Sequence, residues 1–550
     1  MGETAAEEGP ALATACGQEF VISSGTDQVP ERIAAALQPR FTVVRETSRR
    51  ARQVWLDTFD GRLQAAGLML RQVAGPGCGE LVLSTPAGAD VACEPLREPR
   101  WPGLLDVIPA GPLRDRLDPV VEIRALLPLA RAEGTLTELR VLDRQRKTVA
   151  RITVDAASLV RPVRGVLPTR LVIAPVRGYQ TAAERAGLLL TADGEFAPSL
   201  HPVLESVLEV TGQRPGGSAD IGGITLSASM PARTALADVL LRLADTITAN
   251  VSFVIGDVDT EFLHDLRVAV RRTRSALKLA GDALPGGMAA RYAPEFKWLG
   301  DLTTPTRDLD VYLTGFDQMA SGLSAASPGD LEPFRAHLAA RRRTERRRLV
   351  RGLRSDRFTS LMTDWRSALE GAASRPGPGP DIASLAADRI ARAYRRVVRR
   401  GSALTRAGAG QGVPGTELHA LRKRCKELRY LLELFGSLYE PAAYRRVVKN
   451  LKGLQDCLGE FQDGEVQREA IRGFAAQMLS RRGVPGAGRR PAAPQPAAEL
   501  AATLLAMGEL TAQLHARQLR ARDEVAGRFA RFTRAGILRT LGIADRAVTS

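Results

Sequence analysis

Aromatic side chains are scarce in this 550-residue chain, at 5% of its residues. Proteins that hold single-stranded nucleic acid stack bases on aromatic platforms, and no basic stretch here carries an interleaved row of them. The five cysteines, Cys16, Cys78, Cys93, Cys425 and Cys457, form no C-x-x-C pair. Their odd number and spacing argue against a disulfide framework and against a zinc site. No run approaches roughly 18 consecutive apolar residues, so no membrane span is expected. The opening residues MGETAAEEGP are acidic and lack the apolar core of a signal peptide. A reducing cytoplasm is the default compartment.

What the chain has is positive charge. Its formal net charge is +16, which favours an anionic partner. With so few aromatics, the weight shifts toward an anion made of phosphate alone. The basic residues divide into 70 Arg and 7 Lys. Lys278, Lys297, Lys423, Lys426, Lys449 and Lys452 fall within 264–310 or 419–465, and Lys147 alone lies elsewhere. Lysine is a compact, mobile point charge, whereas arginine prefers planar bidentate geometry. The retained lysines point to contacts with flexible phosphate oxygens.

Length and patterning suggest two kinds of domain. Residues 1–215 read as strands: 52–57, 80–84, 136–143, 147–154 and 170–176 alternate or form short β-rich runs between Gly and Pro. A linker is expected at 216–225. Residues 226–545 read as helices, at 227–256, 259–282, 287–320, 330–370, 381–405, 416–438, 440–482 and 497–535. Breaks at 371–380 and 483–496 interrupt them, the second expected to be a disordered loop. The halves are about 226–370 and 381–545.

The halves repeat. Shifting 264–310 by 155 residues aligns it with 419–465 without a gap. His264, Arg267, Arg271 and Arg274 stand at offsets 0, 3, 7 and 10, and His419, Arg422, Lys426 and Arg429 repeat them. On a helix these offsets place every member on one face, away from the apolar Leu266, Val270, Thr273 and Leu277. A single basic stripe is usually a solvated face; a duplicated one opened twice by histidine suggests two half-sites around one polyanion. The histidines either donate to phosphate or cap and bridge helices. His264-Asp265 could begin a metal site, but the duplicate reads His419-Ala420, and no convergent ligand set accompanies it. Asp301, Asp308, Asp456 and Asp463 are expected to pair with arginine, with lowered pKa values. Arg392, Arg395, Arg396, Arg399 and Arg400 form a further stripe, and Arg445 begins another with Lys449 and Lys452. The densest run, 341–357, goes all round its helix and reads as a solvated or secondary anion surface.

Four strings carry a resemblance: HDLRVAVRRTRSALKL at 264–279, TRDLDVYL at 306–313, LHALRKRCKELRYLLEL at 418–434 and LKGLQDCLGEFQD at 451–463. Together they resemble the CHAD domain, the conserved-histidine α-helical domain. The resemblance implies two pseudosymmetric four-helix bundles around a basic central cavity, inorganic polyphosphate as ligand and association with polyphosphate granules. It makes His264, Arg267, Arg271, Arg274, His419, Arg422, Lys426 and Arg429 polyphosphate-binding residues. To these the basic pattern adds Lys278, Lys297, Arg307, Lys423, Lys449 and Lys452, with Arg392, Arg395, Arg396, Arg399 and Arg445 as a secondary basic surface. One departure is visible: Leu458-Gly459 of the second half reads Thr303-Thr304 in the first, which bears on the helix bend there.

The N-terminal strings VWLDTFDGRLQAAGLMLR at 54–71, DRQRKTVARITVD at 143–155 and VRGYQTAAERAG at 176–187 resemble the CYTH domain, the triphosphate tunnel fold. Active members carry an E-x-E-x-K motif; GQEFV at 17–21 keeps only Glu19. The lysine expected after the W-x-L strand stands as Ser84, and Arg71 has lost its partner to Val73. A metal-dependent triphosphatase needs several convergent carboxylates, so the module reads as degenerate.

The expected protein is therefore α+β and multidomain, an antiparallel CYTH-type β-barrel followed by an all-α CHAD domain. Its expected function is non-catalytic polyphosphate binding, with no metal, cofactor or catalytic residue and no named protein partner. A triphosphatase or polyphosphatase fed by the helical domain is the alternative, and a non-specific nucleic-acid binder the lesser one.

Overall fold

The computed structural model describes residues 18–22, 28–38, 40–75, 78–85, 90–96, 100–192, 194–199, 201–212, 225–375, 379–407, 414–480 and 497–544. Two compact units, Met1–Asp220 and Ile221–Ser550, make up the chain. Of the expected linker, 216–224 lies outside the described residues, as do 376–378 of the first break and the whole loop 483–496.

Among the described residues the first unit is an antiparallel sheet of ten strands: β1 Gln18–Ile22, β2 Thr42–Thr58, β3 Met69–Gly75, β4 Cys78–Ser84, β5 Asp90–Pro95, β6 Leu126–Leu142, β7 Thr148–Arg161, β8 Gly165–Val166, β9 Arg170–Pro175 and β10 Phe196–Pro198. Their order is β10-β1-β9-β7-β6-β2-β3-β4-β5, with β8 on β7. The expected strands are present, and the β2–β6 pair is the longest, Thr42 facing Leu142 and Thr58 facing Leu126. Among the described residues the path stays open, with β10 and β5 as its edges. One reason is local: β10 has three residues and ends on Pro198, which has no amide hydrogen for a further strand.

Helices α1 Val29–Leu37, α2 Arg62–Ala65, α3 Pro112–Val121, α4 Gln180–Ala192 and α5 Val203–Thr211 cover the sheet. Ile33, Leu37, Ala186 and Leu190 of α1 and α4 pack on Leu139, Val141, Ile152, Leu171 and Ile173. Leu63, Leu113 and Leu117 of α2 and α3 pack on Leu56, Leu70, Leu81 and Leu83. Trp55, Ala130, Ala132 and Leu159 form a separate cluster with Val207 of α5.

The second unit is helical: α6 Ala232–Gly256, α7 Thr260–Ala280, α8 Met288–Thr314, α9 Phe316–Ser321, α10 Glu332–Leu353, α11 Asp356–Ala373, α12 Ile382–Ala407, α13 Gly415–Phe435, α14 Pro441–Ser480, α15 Ala497–Arg534 and α16 Ile537–Thr540. Two expected helices are divided. Residues 330–370 break before α11, where the Ser355 hydroxyl accepts from the Phe358 amide and starts a new helix. Residues 287–320 break at Gly315, between α8 and α9. Helix α6 is long and apolar enough to cross a membrane by length and composition, but Leu236, Leu240, Leu243 and Ile247 are buried in the bundle. The two halves share a core. Leu309, Phe334 and Leu338 of the first pack with Ile471, Phe474, Met507 and Leu510 of the second.

Candidate polyanion-binding groove

Helix α7 begins where Asp259 accepts from the amides of Glu261 and Phe262, satisfying donors that the first turn leaves free. Its apolar face, Leu266, Val270, Thr273 and Leu277, is buried as expected. Helix α13 buries Leu418, Leu421, Cys425, Leu428 and Leu432 in the same way. The basic faces of the two helices are thereby left available, and α7, α12 and α13 border one cavity of about 1040 Å³.

From the first half, Arg271, Arg274, Lys278 and Lys297 line this groove; from the second, Lys423 and Lys426. Arg396 and Arg399 of α12, expected on a secondary surface, line it too, as do Arg400 and Arg424. Among the described residues these ten cations share the lining with one carboxylate, Glu427. Lys278 lies 2.7 Å and Arg424 2.9 Å from that carboxylate, and together they outweigh the effect of its burial and hold its pKa below the ordinary value. Tyr430 is the one aromatic among the described lining residues, with the Arg271 guanidinium 5.9 Å from its ring centre. Sequence reasoning missed Arg424, Glu427 and Tyr430. Arg424 lies off the repeated offsets, and Glu427 and Tyr430 have no like-charged or aromatic counterpart in the first half.

The opening residues of both stripes lie outside the lining. His419 Nδ1 is 2.5 Å from Gln462 Oε1. Arg422 donates to Asp463 at 2.9 Å, whereas its counterpart Arg267 donates to the Thr304 hydroxyl. The altered Thr303-Thr304 pair thus gives Arg267 an acceptor that Gly459 cannot give Arg422. Arg307 donates to the Thr260 carbonyl at 3.0 Å and to Glu261 at 3.2 Å. Arg429 is turned to Glu433 at 2.6 Å. Lys449 and Lys452 are exposed on α14. Arg445 bonds the Pro441 carbonyl of its own helix, and Arg392 bonds Asp388 at 2.8 Å. Arg395 is half-buried on α12.

The repeated aspartates divide. Asp463 pairs with Arg422 as expected. Asp301 pairs with a lysine instead, Lys297 at 2.8 Å, which holds its carboxyl low. Asp308 departs from the expectation, because burial pushes its pKa up against the pull of Arg267 and Arg307. The run 341–357 is also not simply solvated. Arg342 bridges Asp257 at 2.7 Å and the buried Asp310 at 2.5 Å, and Arg346 lies 3.1 Å from Asp257. Arg357 reaches Glu295 at 2.8 Å.

Crowding of like charge leaves its mark on ionisation. Burial, then Arg422 and Arg271, hold Lys426 below the usual lysine range. Burial and then Arg307 hold His264 below 6.5, so its neutral form is favoured at neutral pH. An approaching anion offsets the repulsion from the neighbouring cations.

In the sheet unit, Glu19 is 2.6 Å from Arg170. The same guanidinium also donates to the hydroxyls of Ser199 and Ser206, each at 2.9 Å, and to the His201 carbonyl at 3.0 Å. Ser84 is buried. Arg71 lies 3.2 Å from Gln53 Oε1 and 3.5 Å from Asp155.

Comparison with known proteins assigns the helical unit. Residues 238–472 match the family model of the CHAD domain, so the chain carries a CHAD domain running from α6 into α14. Among solved structures, the CHAD domain from the plant Ricinus communis is 25% identical, over 56% of this chain and 94% of that one, with a TM-score of 0.45. PptA from Streptomyces chartreusis is 18% identical over 56% of this chain and 99% of that one, with a TM-score of 0.39. HpAC1 from Hippeastrum, described as having a dominant triphosphatase activity, is 11% identical over 36% of this chain and 98% of its own, with a TM-score of 0.27. No curated protein matches the chain.

Proposed function

We propose that the CHAD domain binds inorganic polyphosphate in the groove between its halves, performs no chemistry on it, and brings the protein to polyphosphate granules. The observation that carries this reading is the lining: ten cations against one carboxylate in about 1040 Å³. A chain of phosphates presents regularly spaced charge and oxygen acceptors with no bases to stack, and the groove offers one aromatic ring. Each charge-assisted hydrogen bond contributes about 1.5–3 kcal/mol before the costs of association. Without ligand the cations repel one another, so an occupied groove is the more stable one.

The test is a thermal melt of the full-length protein with and without long-chain polyphosphate at low salt. The expected result is a melting temperature that rises with polyphosphate concentration and a binding constant that falls steeply with added salt. No shift at low salt would sink the proposal. A competition arm addresses nucleic acid: polyphosphate should displace DNA or RNA far better than the reverse.

A further inference from the structure

Helices α7 and α13 meet along a seam whose charges break the repeat. Residues 155 apart are equivalent in the two halves, so Arg272 corresponds to Glu427 and Lys278 to Glu433. The seam joins them crosswise. Lys278 Nζ is 2.7 Å from Glu427 Oε1, and Arg272 Nε is 3.4 Å from Glu433 Oε2. Exchanging the halves therefore turns one bridge into the other. Ser275 and Tyr430, also equivalent, line the groove midway between the two bridges, and the two helices run antiparallel about them.

The stripe positions kept their sign on duplication: Arg267 with Arg422, Arg271 with Lys426, Arg274 with Arg429. The seam positions inverted theirs. Of these four, both cations stand on α7 and both carboxylates on α13, where Arg424 and Arg429 of the same helix also pair with Glu427 at 2.9 Å and Glu433 at 2.6 Å. Glu427 and Glu433 are nearly buried, with side chains 10% and 14% exposed. Glu427 is also the single carboxylate in the lining of a cationic groove, where an anion-binding role alone gives it no purpose.

We infer that this inversion is a pairing code. It commits α7 of the first half to α13 of the second and opposes the pairing of like halves from two copies of the chain. Had the repeat kept one cation and one acid in each half, both bridges would still form within the chain. The α7 helices of two copies would then be complementary as well, and so would two α13 helices. With the inversion, α7 on α7 sets Arg272 against Lys278 twice, and α13 on α13 sets Glu427 against Glu433 twice. Like charges brought together there are disfavoured, most at the nearly buried carboxylates and least at Lys278, whose side chain is 69% exposed. Exchange of equivalent elements between copies is the characteristic hazard of a duplicated unit.

Two charge-conserving variants of the full-length protein separate the code from the bridges. Lys278→Glu with Glu427→Lys keeps both bridges but erases the inversion, making each helix self-complementary. Adding Arg272→Glu and Glu433→Arg swaps both bridges and restores the inversion with opposite sign. Each protein is refolded from denaturant, and its mass distribution is read by size exclusion with light scattering. The one-bridge swap should yield at least several-fold more dimer and larger species than the wild type, and the two-bridge swap should return to the wild-type distribution. Equal distributions in all three overturn the inference. So does failure of both variants to give a cooperative melt, because the bridges would then not be exchangeable.

Discussion

Arginines in the sheet unit and arginines in the groove are the same side chain in opposite settings. Arg170 gives its guanidinium to Glu19, two serines and a carbonyl, all within 3.0 Å. Arg62 is held by Asp60 at 2.9 Å and Glu122 at 2.8 Å. In the groove, Arg271, Arg274, Arg396 and Arg399 line a common space with lysines, and one carboxylate joins them. A guanidinium that already has its acceptors holds a fold together; a cluster left short of acceptors is prepared for an external anion. The count of basic residues does not separate these roles, whereas the partners do.

The contrast can be broken most directly in the groove. Arg271→Glu together with Lys426→Glu should weaken binding of long-chain polyphosphate by about 100-fold or more at low salt, from the loss of two charge-assisted contacts and the repulsion that replaces them. Arg343→Glu with Arg347→Glu, on the exposed side of α10, should cost less than about threefold, since a screened surface charge contributes little. Titration calorimetry on both variants decides it, and equal losses would mean a diffuse cationic surface. In the sheet unit the opposite outcome is expected. Arg170→Met should lower stability by about 2–4 kcal/mol in denaturant unfolding, because it strands Glu19 and three further acceptors. Polyphosphate affinity should stay within about twofold of wild type.

The smallest expected effect concerns pH. His264 has a folded pKa below its ordinary 6.5, from burial first and Arg307 next. The unfolded chain therefore binds this proton more readily than the folded one. The stabilising contribution of the neutral ring is complete above about pH 6.5 and is lost as pH falls toward the lowered folded value. Melts of the free protein from pH 7.5 to 5.5 should show this fall, and His264→Gln should flatten it.

Much of the groove was legible because helical offsets are rigid. A residue at 0, 3, 7 or 10 must share a face, so Arg271, Arg274 and Lys426 could be placed from spacing alone. The doubling of 264–310 at 419–465 likewise announced two halves. His264, Arg267, His419 and Arg422 show where that reasoning stops. They share the stripe, yet they bond Thr304, Gln462 and Asp463 or lie beside Arg307 rather than line the cavity. Spacing fixes a face but not how far along the helix the facing wall extends. The break before Ser355 was hidden for a related reason, since a serine signals a helix start only when its hydroxyl finds the amide three residues on.

From the sequence alone follow the strand-rich beginning, the duplicated helical remainder, the basic stripes and the excess of positive charge, because each depends on composition or on a local period. Tertiary structure decided which cations share a space: that Arg396 and Arg399 join the groove, that Arg342 is neutralised by Asp257 and Asp310, and that Lys278 meets Glu427 across the seam. The electrostatics of a charged side chain depends on neighbours that are distant in sequence, and only packing brings them within reach.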